Sequence, residues 1–242
     1  MTQFWPIVPA AGVGARMQAD RPKQYLPLAG QALMDHTLRT LLTYPRVTRL
    51  VLVLSEQDPY IEQSQFAHDE RVIRAVGGDE RVHSVLNGLQ SIAALADDED
   101  WVLVHDVARP CLTHSDLDGL ISAVINQSPQ SGGLLATPTR DTMKRGALTA
   151  EGLVTVQQTV AREQLWHALT PQMFRYGLLK QALQEALANG LAITDESSAM
   201  EAMGYQPLLV EGRADNIKVT RPADLVLAGR FLSDRNETSS CE

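Results

Sequence analysis

A glycine-rich loop near the amino terminus holds the first residues whose types and spacing could do chemistry. It reads Pro-Ala-Ala-Gly-Val-Gly-Ala-Arg-Met from Pro9 and is followed by Arg-Pro-Lys from Arg21. Backbone amides in such a loop can point at an anion, and Arg16 and Lys23 add two cations. The alternative is a plain glycine turn with solvated charges. Ala-Ala before the glycines and Arg-Met after them favour a phosphate site.

Two common phosphate-binding motifs do not fit this loop. The dinucleotide fingerprint needs a third glycine three residues after Gly14, where Met17 stands, and an acidic residue about twenty positions further on. The Walker sequence Gly-Lys-Ser/Thr occurs nowhere in the chain. These mismatches argue against a dinucleotide-dependent oxidoreductase, which stays an alternative together with a non-catalytic nucleotide-sensing module.

A second polar cluster follows the apolar run Trp101–His105. At the carboxyl end of a parallel strand, Asp106 could orient an acceptor or hold a metal ion, or it could simply cap the next turn. Arg109 could bind phosphate, pair with Asp106, or do both. For His105 a structural hydrogen bond is favoured over catalysis, and Cys111 is expected to be a small apolar filler rather than a nucleophile.

The elements that must position these residues alternate along the chain. Apolar runs predict five strands, at Trp5–Pro9, Val47–Leu54, Val72–Val76, Trp101–His105 and Leu134–Thr137. Apolar residues spaced three and four apart predict helices after the third, fourth and fifth runs, and a last helix opens at Thr220-Arg221-Pro222 and ends at Leu232. Continuous apolar strands are typical of parallel sheets covered on both faces. The predicted fold is α/β and Rossmann-like, with a mostly parallel twisted sheet and helices on both faces.

Residues 139–160 break this alternation. Gly146 and Gly152 lie between two extended runs, Asp141–Lys144 and Leu153–Gln157, which predicts a β-hairpin arm protruding from the sheet. An isolated hairpin is marginally stable in water, so we expect the arm to pack against a second copy of the chain. The predicted organisation is one domain over residues 1–232 and a polar tail over 233–242.

Composition excludes several classes of protein. The 242 residues suit one large domain, and no apolar run approaches the ~20 residues of a membrane span. No signal peptide is recognised, and two cysteines cannot make a disulfide framework or a four-ligand zinc site. With 21 Lys+Arg against 29 Asp+Glu, the net charge of -8 disfavours nucleic acid and anionic membranes as partners. We therefore expect a cytoplasmic protein that binds phosphate in a local cationic pocket.

Five sequence blocks occur together in one order: PAAGVGARM with RPKQYLPL, then HDVARPC, RDTMK, TDESSA and EGRADNIKVT. From about Trp5 to Leu232 the chain resembles the 2-C-methyl-D-erythritol 4-phosphate cytidylyltransferases of the non-mevalonate isoprenoid route, in the sugar-nucleotide transferase superfamily. The resemblance implies transfer of CMP from CTP to 2-C-methyl-D-erythritol 4-phosphate, with Mg²⁺ as cofactor and a homodimer joined by the arm. The family pattern has a small alanine where this chain has Val107, and this difference affects packing near the site. Another polyol phosphate, such as ribitol 5-phosphate, is the alternative acceptor. The lysine of RDTMK favours 2-C-methyl-D-erythritol 4-phosphate.

The resemblance also implies roles for particular residues. Arg16 and Lys23 would stabilise the transition state, with Asp106 orienting the acceptor or the metal and Arg109 beside it. The nucleotide would contact Ala10, Ala11, Gly12, Gly14, Gly78, Asp79 and Ser84. The acceptor would contact Thr142, Arg162, Thr170 and Lys218, with Thr142 and Arg162 supplied across the dimer. From the residues alone, Lys218 could instead point outward from a short strand in Asn216–Val219. No strong general base is needed, because a phosphomonoester has a second pKa of about 6 and is already ionised.

Overall fold

A computed structural model of the chain describes residues 2–12, 14, 17 and 19–239. Its strands are β1 (Phe4–Pro9), β2 (Pro27–Leu28), β3 (Gln31–Ala32), β4 (Leu50–Leu54), β5 (Val72–Val76), β6 (Trp101–Val104), β7 (Gly133–Pro138), β8 (Met143–Leu148), β9 (Val154–Val160), β10 (Trp166–Arg175) and β11 (Leu208–Glu211). Its helices are α1 (Leu33–Leu42), α2 (Arg81–Ser91), α3 (His114–Gln127), α4 (Tyr176–Ala188), α5 (Glu196–Ala202) and α6 (Pro222–Ser239).

Seven strands form the central sheet in the order β11-β7-β10-β6-β1-β4-β5. β10 runs antiparallel to both of its neighbours, β6 and β7, and the other pairings are parallel. The carboxyl ends of β5, β4, β1 and β6 therefore meet at one edge, where open parallel sheets bind ligands. The predicted α/β fold with a mostly parallel sheet is confirmed.

Strand β4 shows why the apolar runs become buried strands. Leu50, Leu52 and Leu54 pack into the hydrophobic cluster on one face of the sheet, with α1 and α3. Val51 and Val53 pack into the cluster on the other face, with α2, α4 and α5. Successive side chains of a strand point to opposite faces, so a strand covered on both sides must be apolar throughout.

Several elements escaped the sequence prediction, and β10 is the most important of them. It is polar in part, it contains Thr170-Pro171, and its register with β7 shifts between Ala168 and Gln172. Such a strand lacks both the continuous apolar run and the regular alternation that identify strands in a sequence. The segment Asn216–Val219 was expected to be a short strand and is instead an irregular connection between β11 and α6.

The arm is an antiparallel hairpin of β8 and β9 that forms a separate two-stranded sheet. Its turn is closed by the Thr149 amide donating to the Leu153 carbonyl at 2.8 Å, and Gly152 has a φ of +80° there. Gly146 lies within β8 at a register shift rather than in the turn. The hairpin is therefore present, with longer strands than the sequence indicated.

Helix α6 extends beyond the predicted end at Leu232 and continues through the first residues of the predicted polar tail to Ser239. The Arg235 guanidinium donates to the Asp215 carboxylate at 2.8 Å, which ties this last part of the helix to the preceding loop. Residues 233–239 contain neither proline nor glycine, so nothing in the sequence stops the helix at 232. Across the described parts of the chain, no helix is both long and apolar enough to cross a membrane.

Candidate functional site

A cavity of about 240 Å³ opens at the edge of the sheet where β1, β5 and β6 end. The described residues that line it are Pro9, Ala10, Ala11, Gly12, Lys23, Gln24, Gly78, Asp79, Glu80, Arg81, Ser84, Asp106, Val107, Ala108 and Lys218. They come from three loops that follow parallel strands and from the connection before α6. The cavity thus combines glycine-rich backbone with three cations and one buried carboxylate.

The first wall is the loop after β1. The Gln24 amide donates to the Ala10 carbonyl at 2.7 Å, and the Lys23 ammonium donates to the Val219 carbonyl at 3.0 Å. Gly14 has a φ of +66°, and a Cβ there would lie 2.9 Å from Cγ of Lys23, so the backbone packs against the stem of this lysine. The loop therefore holds Lys23 at the cavity. Arg16, the other predicted cation, lies outside the described residues.

The second wall is the loop between β5 and α2. The Gly78 amide donates to the Ser84 hydroxyl at 3.1 Å, and the Gly77 amide donates to the Leu54 carbonyl at 2.7 Å. No side chain caps α2 at its N-cap residue, Glu80, in the described structure. The first amides of α2 thus keep their hydrogen-bonding capacity beside the cavity.

For CTP, the nucleotide that the resemblance implies, we expect Gly77→Ala to raise the KM at least about fivefold, because reacting groups misplaced by about 1 Å lose much of their effect. The new Cβ would lie 2.5 Å from Cβ of Ala11 and 3.0 Å from the Ser84 oxygen, which forces the two walls apart. Steady-state kinetics at varied CTP would measure the change. The control is Gly119→Ala in α3, where nothing lies within 4 Å of the added atom. Equal KM values in both variants would contradict the expectation.

Asp106 is the carboxylate around which the cations gather. The Lys218 ammonium lies 2.6 Å from one of its oxygens, the Arg81 guanidinium 3.2 Å from the other, and the Arg109 Nε 4.0 Å away. Burial alone would raise the pKa of Asp106, but the charges of these three residues outweigh it and hold the pKa well below its usual range. Asp106 is therefore ionised at neutral pH.

Arg81 also binds Glu196, the first residue of α5. Two guanidinium nitrogens donate to the two Glu196 oxygens at 2.6 and 3.0 Å. Burial would lower the pKa of Arg81, but Glu196 and Asp106 raise it further, so the guanidinium stays charged. The sequence prediction missed both residues as members of the site. Arg81 is the third residue after the glycine pair and Glu196 lies in the TDESSA block, but no local pattern links residues so far apart in sequence.

Thr170 and Arg109 are two buried residues that contact Asp106. The Asp106 amide donates to the Thr170 hydroxyl at 3.1 Å, and that hydroxyl contacts Nδ1 of His105 at 2.9 Å. Arg109 donates to the Asn216 carbonyl at 2.7 Å. Both Thr170 and Arg109 are buried, and neither is among the described residues that line the cavity. The described contacts of both residues are with protein groups, and the acceptor contact that the resemblance implies for Thr170 stays a prediction.

His105 is a buried structural histidine, as the sequence favoured. Its Nε2 lies 3.2 Å from the Arg109 carbonyl, which can only accept, so Nε2 carries the proton and Nδ1 accepts from Thr170. Burial lowers the pKa of His105 to about 4. The imidazole is therefore neutral at physiological pH.

This histidine predicts acid sensitivity of the fold. The unfolded chain takes up a proton near the ordinary pKa of 6.5, whereas the folded chain does so only near 4. The contribution to stability is therefore complete above about pH 6.5 and is lost as the pH falls toward about 4, a decrease of about 3 kcal/mol. Urea unfolding across this window should show the decrease, and His105→Gln should reduce it. Identical pH slopes for the two proteins would contradict the prediction.

Two predicted substrate residues lie on the arm, away from the cavity. Thr142 precedes β8 and Arg162 follows β9, and both are exposed. Arg162 donates to the Arg140 carbonyl, which joins the two ends of the hairpin. Neither belongs to the part of the cavity wall that the structure describes. Within one chain, the structure therefore does not bring them to Lys23, Asp106 and Lys218.

Comparisons with known proteins identify the family that the chain resembles. Residues 5–234 match the family model described as 2-C-methyl-D-erythritol 4-phosphate cytidylyltransferase (IspD). A relative of that name from Photobacterium profundum is 51% identical over 95% of this chain and 96% of its own. One from Aliivibrio fischeri is 54% identical over 93% of this chain and 92% of its own.

A solved structure shows the same fold. The crystal structure of the Francisella tularensis 2-C-methyl-D-erythritol 4-phosphate cytidylyltransferase superposes with a TM-score of 0.81. It is 32% identical and covers 95% of this chain and 100% of its own. The chain therefore belongs to the 2-C-methyl-D-erythritol 4-phosphate cytidylyltransferase family.

Proposed function

We propose that the cavity at the carboxyl ends of β1, β5 and β6 is the active site of this cytidylyltransferase. The reaction transfers CMP from CTP to 2-C-methyl-D-erythritol 4-phosphate and yields 4-diphosphocytidyl-2-C-methyl-D-erythritol and pyrophosphate. An acceptor phosphate oxygen forms a bond to the α-phosphorus, and the bond from that phosphorus to the β-phosphate oxygen breaks. The observation that carries the proposal is the convergence of Lys23, Arg81 and Lys218 on one cavity in a chain of net charge -8.

The cytidine triphosphate would lie between the two glycine-rich walls. The backbone of Ala10, Ala11, Gly12 and Gly14 would face the phosphates. The loop of Gly78, Asp79 and Ser84 would read the base, because a few hydrogen bonds in a buried site reject a base that leaves them unpaired. The uncapped start of α2 adds positive potential on the same side.

The cations would act on the charge that accumulates around the α-phosphorus. Lys23 lines the cavity, and by the family pattern Arg16 would act with it. Lys218 and Asp106 also line the cavity, where they would hold and orient the acceptor phosphate. Fixed charges in a site shielded from water stabilise such a transition state by several kcal/mol each, on the order of magnitude found for oxyanion donors.

Magnesium fits this site through one protein ligand. Mg²⁺ prefers oxygen ligands and is usually held by one or two carboxylates together with substrate phosphates. Asp106 supplies such a carboxylate at the cavity, and the described residues contain no cluster of three or more acidic, histidine or cysteine side chains that would form a complete metal cage. Asp106 would thus hold the ion with the triphosphate, and the bound ion would neutralise phosphate charge.

The arm would complete the site across a homodimer. It exposes apolar side chains that a single chain leaves uncovered, with Leu148 at 74%, Val154 at 75% and Val156 at 64% exposure. Burying such a surface against a second copy is favourable, and exposed apolar patches commonly mark interfaces. Thr142 and Arg162 would then reach the acceptor in the partner's cavity. Light scattering should give twice the chain mass of 26.5 kDa.

An acceptor panel tests the proposed function. The chain is incubated with CTP, Mg²⁺ and either 2-C-methyl-D-erythritol 4-phosphate or ribitol 5-phosphate, and pyrophosphate release is followed. We expect release with the first acceptor at a kcat/KM at least about a hundredfold higher than with the second. Preference for ribitol 5-phosphate would assign the alternative acceptor. Absence of release with both from a folded sample would end the proposal.

Three further predictions from the sequence accompany this function. A single domain over residues 1–232 predicts one cooperative unfolding transition in calorimetry. A cytoplasmic location is tested by fractionation of the native cells. Exclusion of nucleic acid, expected from the acidic composition, is tested by the absence of a gel shift with duplex DNA and with RNA.

A further inference from the structure

Arg81 links two acidic residues from different parts of the fold. Its guanidinium contacts Asp106 at the cavity and Glu196 at the start of α5, and only the Asp106 side faces the cavity. Glu196 is 1% exposed, so its carboxylate is buried against the guanidinium. A two-point contact fixes the plane and the direction of a guanidinium, which a single hydrogen bond does not do.

The geometry of this contact assigns separate tasks to the two carboxylates. The terminal nitrogens Nη1 and Nη2 donate to Glu196 at 2.6 and 3.0 Å. Nε donates to one oxygen of Asp106 at 3.2 Å, and Nη2 lies 3.2 Å from the same oxygen. The other Asp106 oxygen has the Lys218 ammonium at 2.6 Å and Nε of Arg109 at 4.0 Å. The orientation of the Asp106 carboxylate thus depends on where Glu196 holds Arg81.

Glu196 is itself held rigidly. The Asp195 carboxylate caps α5 by accepting from the backbone amide of Ser198 at 3.0 Å. It also accepts from the side-chain amide of Gln172 at 2.9 Å. The backbone amide of Ser197 donates to the side-chain oxygen of Gln172 at 2.8 Å. Gln172 lies in β10, directly beside β6 in the sheet. The contact chain from β10 through α5 to Arg81 therefore ends at Asp106, the second residue after β6.

We propose that Glu196 and Arg81 are positioning residues of the transfer reaction: Glu196 orients Arg81, and Arg81 orients the Asp106 carboxylate at the cavity. The inference rests on the proposed function of the cavity. It assigns no direct substrate contact to either residue. A misoriented Asp106 would misplace the acceptor, and a displacement of about 1 Å can cost up to a hundredfold in rate.

The competing explanation is that the pair only stabilises the fold. Removing one partner leaves a buried charge without its counter-ion, which destabilises a protein strongly, whereas replacing both partners by apolar residues is often neutral. Asp106 keeps Lys218 at 2.6 Å in such a double replacement, so no buried charge is left alone. Stability and catalysis can therefore be separated in one set of variants.

The experiment compares Glu196→Gln, the double variant Arg81→Met with Glu196→Leu, and the wild type. Tm is measured for each, and kcat and the KM for CTP are measured with the preferred acceptor. We expect Glu196→Gln to lower both Tm and kcat. The double variant should recover most of the Tm while kcat stays about ten- to a hundredfold low. Its KM for CTP should change less than about threefold, because the double variant keeps the glycine backbone of both walls and the side chains of Asp79 and Ser84.

Recovery of kcat together with Tm in the double variant would overturn the inference. Should the double variant fail to fold, Glu196→Asp decides, since it keeps the charge but draws the guanidinium back by one methylene. A kcat at least about fivefold low at a near-native Tm supports the positioning role, and a wild-type kcat overturns it. Arg71→Leu removes an exposed two-point pair with Asp69 far from the cavity and serves as the control with unchanged kcat. A wild type without turnover refutes the proposed function itself, and the positioning role then falls with it.

Discussion

Replacing Lys23 by alanine lowers kcat for CMP transfer at least about a hundredfold, if fixed cations at the cavity stabilise the developing phosphate charge. The ammonium is aimed by its 3.0 Å hydrogen bond to the Val219 carbonyl, and the stem is packed against Gly14. An alanine removes the charge and leaves space that water would fill. Initial-rate measurements at saturating CTP and acceptor would quantify the loss.

The control for this variant is Lys180→Ala on α4. Lys180 lies over the Tyr176 ring and outside the described cavity wall, so kcat should stay at the wild-type value. CTP binding, measured by calorimetry, separates two explanations of an inactive Lys23→Ala. A wild type that binds CTP without turnover, and loses that binding in Lys23→Ala, would support the nucleotide-sensing module. A Lys23→Ala variant with wild-type kcat would remove Lys23 from the site.

Mixing Lys23→Ala chains with Arg162→Ala chains should restore activity that neither variant has alone. A hybrid dimer contains one site with both residues intact, provided that Arg162 serves the partner's cavity. Random pairing in a two-fold symmetric dimer makes half of the dimers hybrid, so about a quarter of all sites are intact. The mixed sample should therefore reach about a quarter of the wild-type rate after subunit exchange.

A matched mixture controls for nonspecific stabilisation of the variant chains by mixing. Lys23→Ala chains mixed with chains that carry both replacements form no intact site and should stay inactive. Differently tagged chains establish that hybrid dimers have formed. An inactive mixture in which hybrids are present would show that the two residues do not share a site. A fully active Arg162→Ala homodimer would exclude Arg162 from the acceptor contacts.

The parts of the fold that repeat a local pattern could be predicted from the sequence. The run from Leu50 to Leu54 predicts a strand buried on both faces, because all five side chains are apolar. Its start was placed too early, at Val47, whose amide instead closes a turn on the Tyr44 carbonyl. The apolar side chain of Val47 is buried, but its backbone is not in the sheet.

The candidate site could be predicted only in part, because only some of its residues lie in a recognisable local pattern. The glycine loops and Asp106 each carry a local signal and do meet at one cavity. Arg81 and Glu196 carry none, because their pairing depends on how α2 and α5 are placed by the whole sheet. The family pattern assigns Thr170 to the acceptor, which stays a prediction, whereas no local pattern predicts that its hydroxyl accepts from the Asp106 amide.

Val107, where a smaller residue was expected, is accommodated without disturbing the site. Its side chain packs in the cluster on the α1 side of the sheet, and its carbonyl accepts the Thr37 hydroxyl at 2.9 Å. The extra methyl groups therefore add apolar contact next to Asp106. The departure concerns packing and leaves the charged groups in place.

The partner that aims Lys23 is a main-chain oxygen, and the same residue's amide donates to the Ala108 carbonyl at 2.8 Å. One peptide segment thus joins the amino-terminal loop, the turn after β6 and the approach to α6. Alanine substitution at position 219 would pass over this junction, because Val219 makes both hydrogen bonds through main-chain atoms. The contribution of Val219 would become visible through backbone chemistry, such as an ester in place of its amide.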